Sequence, residues 1–326
     1  MTMQRRSLFR VLPALALATC GPGLAFAEAA WPARPIRLIV PFPPGGAIDA
    51  MARLLAPVLA STLGQPVVVE NRAGGGGTIG TAAAAQSTDA HTLLMVSMAH
   101  AVNPALSPHL PYDGLRDFVA VAPVAVVPNL LVVPRGSPWE SPADVIAAAH
   151  HNPGVLTYAS AGSGTSIHLA GALFAALSRI ELTHVPYKGS GPALSDLVTG
   201  RVDMMFDSLT SAAPQLASGR LRALAVTTSR RIAALPRLPT LAEAGVAGYA
   251  LDPWFAMLAP ADLPPEGQRR MEAAVTGALR DPVLRDRLAG IGAEPMDGGA
   301  ESLDRLLRQE TARWKDLVRE LSIRPD

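Results

Sequence analysis

The sequence predicts an α/β fold built as two lobes. Apolar strand signals and helix signals alternate along most of the chain, the pattern of strands covered by helices. One local unit, an apolar strand, a glycine-rich turn and a helix, occurs twice at distant places. A length of 326 residues suits two domains of ordinary size better than one core.

The first unit is Ile36–Val40, then Pro41-Phe42-Pro43-Pro44-Gly45-Gly46, then a helix from Ala47. Ile36–Val40 is continuously apolar, as a strand buried on both faces must be. Ala50 to Leu63 reads as helix, with Met51, Leu54, Leu55, Val58 and Leu59 on one face. Pro57 is expected to kink it, and Gly64 to end it as a C-terminal cap. Val67–Val69 is the next strand. It leads to Glu70-Asn71-Arg72, the loop Gly74-Gly75-Gly76-Gly77-Thr78 and a small-residue helix through Thr81–Ala85. Leu93–Val96 is a third strand, ending at Ser97.

Val119 to Val133 is apolar and broken by Pro123 and Pro128. Within it Leu130–Val133 reads as the strand that leaves one lobe for the other. Ser141 and Pro142 open a helix as N-cap and first helical residue. The second unit is Leu156–Ala159, then Ser160-Ala161-Gly162-Ser163-Gly164, then a helix through Thr165 and His168. Leu182–Val185 is followed by Pro186-Tyr187-Lys188-Gly189, and Pro192–Thr199 reads as helix. Val202–Phe206 is a strand ending at Asp207, and Ala223–Thr227 is another. The chain returns near Gly248–Trp254. Pro265–Arg280, Pro282–Ala289 and Glu301–Leu321 form a helical C-terminus.

Hydrophobic content of 49% with 17% charged residues excludes disorder, and a net charge of +1 gives no nucleic-acid surface. The first residues read as an export leader. Gln4-Arg5-Arg6-Ser7-Leu8-Phe9-Arg10 is basic, Val11–Thr19 is apolar, and Ala25-Phe26-Ala27 fits a signal peptidase, so 1–27 is the expected leader. The apolar run is too short to span a bilayer of about 30 Å. Arg5-Arg6 fits a twin-arginine signal as well as an ordinary one, so the route stays open. Cys20, the only cysteine, lies in a loose lipoprotein box. Thr19 is a poor residue before such a cut, and cleavage after Ala27 leaves no thiol. The mature chain is expected in the periplasm.

Each glycine turn aims free backbone N–H groups and a positive helix end at what lies before it, an anion site without a charged side chain. Gly45 and Gly46 allow close backbone approach. Asp49, in the first turn, is expected to complement the helix dipole. Thr165 and Ser166 cap the second helix or bind the ligand, and His168 orients a hydroxyl or a loop carbonyl. Lys188 is a partner for a distal carboxylate or a solvated turn lysine. Asp207 accepts a hydrogen bond from a ligand or caps the following helix. The first turn is not Gly-x-Gly-x-x-Gly, and the second contains neither Gly-Lys-[Ser/Thr] nor Gly-x-Ser-x-Gly. His150 and His151 are adjacent, and His91, His100, His109 and His184 have no carboxylate at ligand spacing. No metal and no cofactor are expected.

Arg34–Gly46 with Asp49 resembles the opening of the Bug receptors, the substrate-binding proteins of tripartite tricarboxylate transporters. The likeness continues through Gly64-Gln65-Pro66-Val67-Val68-Val69-Glu70-Asn71-Arg72, Gly76-Gly77-Thr78-Ile79-Gly80 and Leu110-Pro111-Tyr112-Asp113. It runs on through Gly162-x-Gly164-Thr165-x-x-His168-Leu169, His184-Val185-Pro186-Tyr187-Lys188-Gly189, Gly200-x-Val202-Asp203 and Leu235-Pro236-x-x-Pro239-Thr240 with Glu243 and Gly245. The resemblance implies a type II-like periplasmic binding protein with two crossover strands, of the kind that closes like a Venus flytrap, and not an enzyme. Its lobes are expected at 31–132 plus 250–326 and at 133–249, hinged near Val132–Arg135 and Gly248–Pro253. Carried over position by position, Phe42, Gly45, Gly46, Ala47, Gly162, Ser163, Gly164, Thr165, His168 and Asp207 would hold one carboxylate. Ser97, His100, Lys188 and Asp207 would read the distal end. Asp89-Ala90-His91 and Val96-Ser97-Met98-Ala99-His100 depart from the family pattern. The expected ligand is a di- or tricarboxylate, an amino acid or an aromatic acid, delivered by a monomer to membrane transporter subunits. Two rivals remain: a ligand-presenting sensor for a membrane histidine kinase, and a secreted hydrolase using Ser163 or Ser166 with His168.

Overall fold

The computed structural model describes residues 31–107, 109–320 and 323. The leader, its cleavage after Ala27 and Cys20 lie outside the described residues, as does Leu321, the expected last residue of the C-terminal helix.

The chain begins with β1 (Ile36–Val40), α1 (Ala47–Leu63) and β2 (Val67–Asn71). A 3₁₀ turn (Gly75–Gly77), α2 (Thr78–Ala85), β3 (Thr92–Ser97), α3 (Ala99–Leu106) and β4 (Phe118–Val126) follow. Next come β5 (Asn129–Pro134), α4 (Pro142–His151), β6 (Thr157–Ser160), α5 (Ser166–Ser178), β7 (Thr183–Pro186), α6 (Ser190–Val198), β8 (Met204–Ser208), α7 (Leu209–Ala217) and β9 (Leu221–Val226). The chain ends with β10 (Trp254–Pro260), α8 (Pro265–Ala278), α9 (Pro282–Gly290), β11 (Glu294–Pro295) and α10 (Ala300–Glu320).

The strands form two sheets. The first has the order β11-β4-β10-β3-β1-β2 and the second the order β7-β6-β8-β5-β9. β1 is parallel to β2 and β3, and β6 is parallel to β7 and β8. Antiparallel strand β5 carries the outgoing chain into the second sheet, and antiparallel β10 carries the returning chain into the first. Strand alternation splits the first sheet's core between two faces. Ile36, Leu38 and Val40 pack with Met51, Leu55 and Leu59 of α1 and Met271 of α8. Ile39 and Leu94 face the other core, with Val102 of α3 and Leu303, Leu307 and Trp314 of α10. α1 runs from Ala47 to Leu63 through Pro57, and Gly64 caps it at φ +72°.

The apolar run broken by two prolines becomes two strands in different sheets. Pro123 stays inside β4, where the pairing with β10 shifts register between Phe255 and Ala256 and between Met257 and Leu258. Such bulges accept a residue with no N–H to donate. Pro128 ends β4 instead. Only Val127 and Pro128 separate the two sheets on the outward pass. Asn129–Val132 pair with Ser208–Met205 in the second sheet, so the outward crossing precedes the expected Val132–Arg135. The return passes through Pro253, whose carbonyl accepts the Val127 N–H at 3.0 Å. The two crossings therefore lie side by side.

Candidate functional site

The loop after β1 is shaped from behind by Asp49. Asp49 is buried, 4% exposed. Its carboxylate accepts the Gly45 N–H at 3.0 Å, Arg53 Nε at 3.0 Å and Asn71 Nδ2 at 2.9 Å. Asn71 Nδ2 also donates to the Phe42 carbonyl at 3.1 Å. Burial pushes the Asp49 carboxyl up, but these hydrogen bonds outweigh it and hold the group below its ordinary value. Asp49 thus braces the turn as well as sitting in the helix's first turn. Gly45 takes φ +89°, and no side chain caps α1 at Gly46. The first N–H groups of α1 open forward instead.

The loop after β6 is held from within. Thr165 Oγ1 donates to the Gly162 carbonyl at 2.6 Å and accepts the His168 N–H at 3.3 Å as N-cap of α5. His168 Nδ1 accepts the Gly164 N–H at 3.2 Å. The His168 ring is 3% exposed and stacks on His184 with centroids 4.3 Å apart. His168 is a brace under the loop. The loop after β7 supplies a third helix start: Gly189 takes φ +106° as N-cap of α6, again with no side-chain cap.

These three helix starts converge. α1, α5 and α6 meet around a cavity of about 180 Å³, with Ser208, the N-cap of α7, on its wall. Of the residues singled out in the sequence, Phe42, Gly45, Gly46, Ala47, Ser97, Thr165, Ser166 and Lys188 line it. Lys188 is the only charged side chain among the described residues on that wall. Gly162, Ser163 and Gly164 line a neighbouring cavity of about 630 Å³, facing the glycines at 74–77. Phe42, Pro43, Ala161, Lys188 and Gly189 border both. A Cβ on Gly189 would stand 3.2 Å from Pro43 Cγ, so the loops of the two sheets close tightly there.

Three of the expected residues, His168, Asp207 and His100, line neither cavity. His168 is the brace described above. Asp207 is fully buried and accepts Ser190 Oγ at 2.8 Å and Ser211 Oγ at 2.7 Å. Burial pushes its carboxyl up to about 6, against these hydrogen bonds. Ser208, not Asp207, caps α7, since its Oγ accepts the Ser211 N–H at 3.4 Å. Asp207 acts through Ser190, which does reach the cavity wall. His100 also misses the first cavity. It packs against Tyr112 and Phe118, with Nε2 2.9 Å from the Gly114 carbonyl. Burial lowers the affinity of its ring for a proton.

Ile48, Ser208 and Phe255 join the wall without having been singled out. Ile48 is the second residue of α1, next to Ala47, and was legible there. Phe255 carries no local signal: β10 places it opposite Ser97 of β3.

A family model described as "Tripartite tricarboxylate transporter family receptor" matches residues 51–323. The chain belongs to this family of substrate-binding receptors. It is not an enzyme. Its relatives include the UPF0065 protein in the tcbD-tcbE intergenic region of Pseudomonas sp. (strain P51), 45% identical over 95% of this chain and 93% of the relative. BugT of Bordetella pertussis is 39% identical over 93% of this chain and 94% of its own length. Among solved structures, R. palustris Rpa4515 with adipate superposes with a TM-score of 0.87 at 38% identity, covering 91% of this chain and 100% of that one. MatC from Rhodopseudomonas palustris with bound malate gives 0.83 at 34% identity, covering 88% and 100%. The two-sheet α/β architecture is that of these periplasmic binding proteins.

Proposed function

We propose that this receptor captures a small carboxylate between two lobes in the periplasm and hands it to the membrane subunits of a tripartite transporter. One observation carries the reading. Three helix N-termini and one lysine converge on a cavity whose lining includes no carboxylate among the described residues. That potential favours an anion. The carboxylates bound by Rpa4515 and MatC support the same ligand class.

In this reading the uncapped N–H groups of α1, with those of α5 and α6, hold the proximal carboxylate. Lys188 meets the distal one. Gly162, Ser163 and Gly164 form the second jaw, and His168 and Asp207 keep the jaws in shape. The lobes follow the sheets: 31–127 with 254–326, and 128–253. The leader is removed after Ala27, by either export route, and the mature protein works as a monomer.

Thermal shift assays with mono-, di- and tricarboxylates and aromatic acids test this. At least one acid should raise Tm in proportion to the logarithm of its concentration. Millimolar concentrations of every acid leaving Tm unmoved would sink the proposal.

A further inference from the structure

The hydroxyls around the cavity are largely committed to the protein itself. Thr165 Oγ1 is engaged with Gly162 and His168. Ser208 Oγ lies 2.6 Å from Ser211 Oγ and also accepts the Ser211 N–H. Ser190 Oγ donates to Asp207. Ser97 Oγ accepts the Ala99 N–H at 3.4 Å. Among the described residues, only the Ser166 hydroxyl on this wall makes no side-chain hydrogen bond.

The remaining wall is apolar. Phe42, Ile48 and Phe255 come from the first sheet's side, and Ile167 and Pro192 from the second. Ile48, Ile167 and Phe255 are 4%, 5% and 6% exposed, so they are fixed by packing. The polar groups that remain uncommitted are backbone N–H groups at helix starts, the Lys188 ammonium and the Ser166 hydroxyl at the start of α5. All are placed to meet the ends of a ligand.

We infer that the site selects acids with an apolar body over acids that carry hydroxyls between their ends. This rests on the carboxylate-receptor reading above and narrows it. A hydroxyl on the ligand body, away from Ser166, would leave water for a wall whose other hydroxyls already bond to the protein. A buried hydroxyl without a partner costs about 1–3 kcal/mol, which is about 5- to 150-fold in affinity. A methylene chain or an aromatic ring at the same place gains by leaving water.

The test is isothermal titration of the wild-type protein with matched pairs that differ by one hydroxyl. The pairs are succinate and malate, glutarate and 2-hydroxyglutarate, and benzoate and 3-hydroxybenzoate. In each pair that binds, the parent acid should bind about fivefold or more tightly than its hydroxylated partner. Equal or tighter binding of the hydroxylated member in any such pair overturns the inference while leaving the receptor reading intact. If no acid of the six binds, this inference falls, while the receptor reading is decided by the wider thermal-shift panel.

Discussion

Lys188 stands at the border of both cavities, with no carboxylate partner among the described residues. The other positive potential at the site comes from backbone dipoles. Lys188→Ala should therefore weaken a dicarboxylate about 3- to 10-fold while barely changing a monocarboxylate. Titration of glutarate and butyrate against both proteins checks this; equal losses for the two acids would remove Lys188 from the distal position. Asp207 makes a different prediction. Its folded-state carboxyl sits at about 6, above its ordinary value of 3.8, because it is buried. The folded protein thus holds this proton more tightly than the unfolded chain does. Asp207's contribution to stability is fully present below about pH 4 and is lost as pH rises through about 6. The full loss is on the order of 3 kcal/mol. Asp207→Asn removes this titration, so the variant's Tm relative to wild type should rise between pH 4 and pH 7. A difference independent of pH would refute the assignment.

Each jaw is one strand, one turn and one helix, and the turn is where sequence limits are tightest. Gly164 combines φ +79° with a neighbour 2.8 Å from where its Cβ would lie, namely Asn103 Oδ1. Gly164→Ala meets both the backbone strain and the clash. It should lower stability by about 1–3 kcal/mol and weaken ligand binding. Asn103→Ala in the same chain removes the clash but leaves the strain, so recovery should be partial. Full recovery would show that the backbone conformation contributes nothing. Asp49 does for the first jaw what His168 does for the second: it pins a glycine N–H from behind. Neither brace lines either cavity.

At the scale of the molecule, two sheets are joined by crossings whose backbones bond to each other at Val127 and Pro253. Adjacent crossings permit rotation of one sheet against the other with little change within either. Hydrogen exchange should show slowed amides at Ala47, Ile48, Ser166 and Ile167 when a ligand binds. Amides of β3, already within the sheet, should be unchanged. Protection spread evenly over both sheets, or absent from the helix starts, would count against a ligand held between the jaws.

The sequence by itself determined the two jaws. Their glycines, Pro43 and Pro44 before the first pair, and the apolar strands behind both are local signals, because turn geometry restricts residue type over a few positions. It also determined most strands to within a residue or two. Only the tertiary structure decided which residues face the cavity. Phe255 joins the wall because β10 pairs with β3, a register set by a distant crossing. His168 turns inward because His184 offers a ring to stack on, and His100 because Tyr112 and Phe118 enclose it. Pro128, not the end of the apolar run, set the outward crossing, since a proline within a bulge is tolerated and a proline between two sheets is a break. Local chemistry chooses the backbone of the jaws. The direction of a side chain depends on packing partners that sequence neighbours do not name.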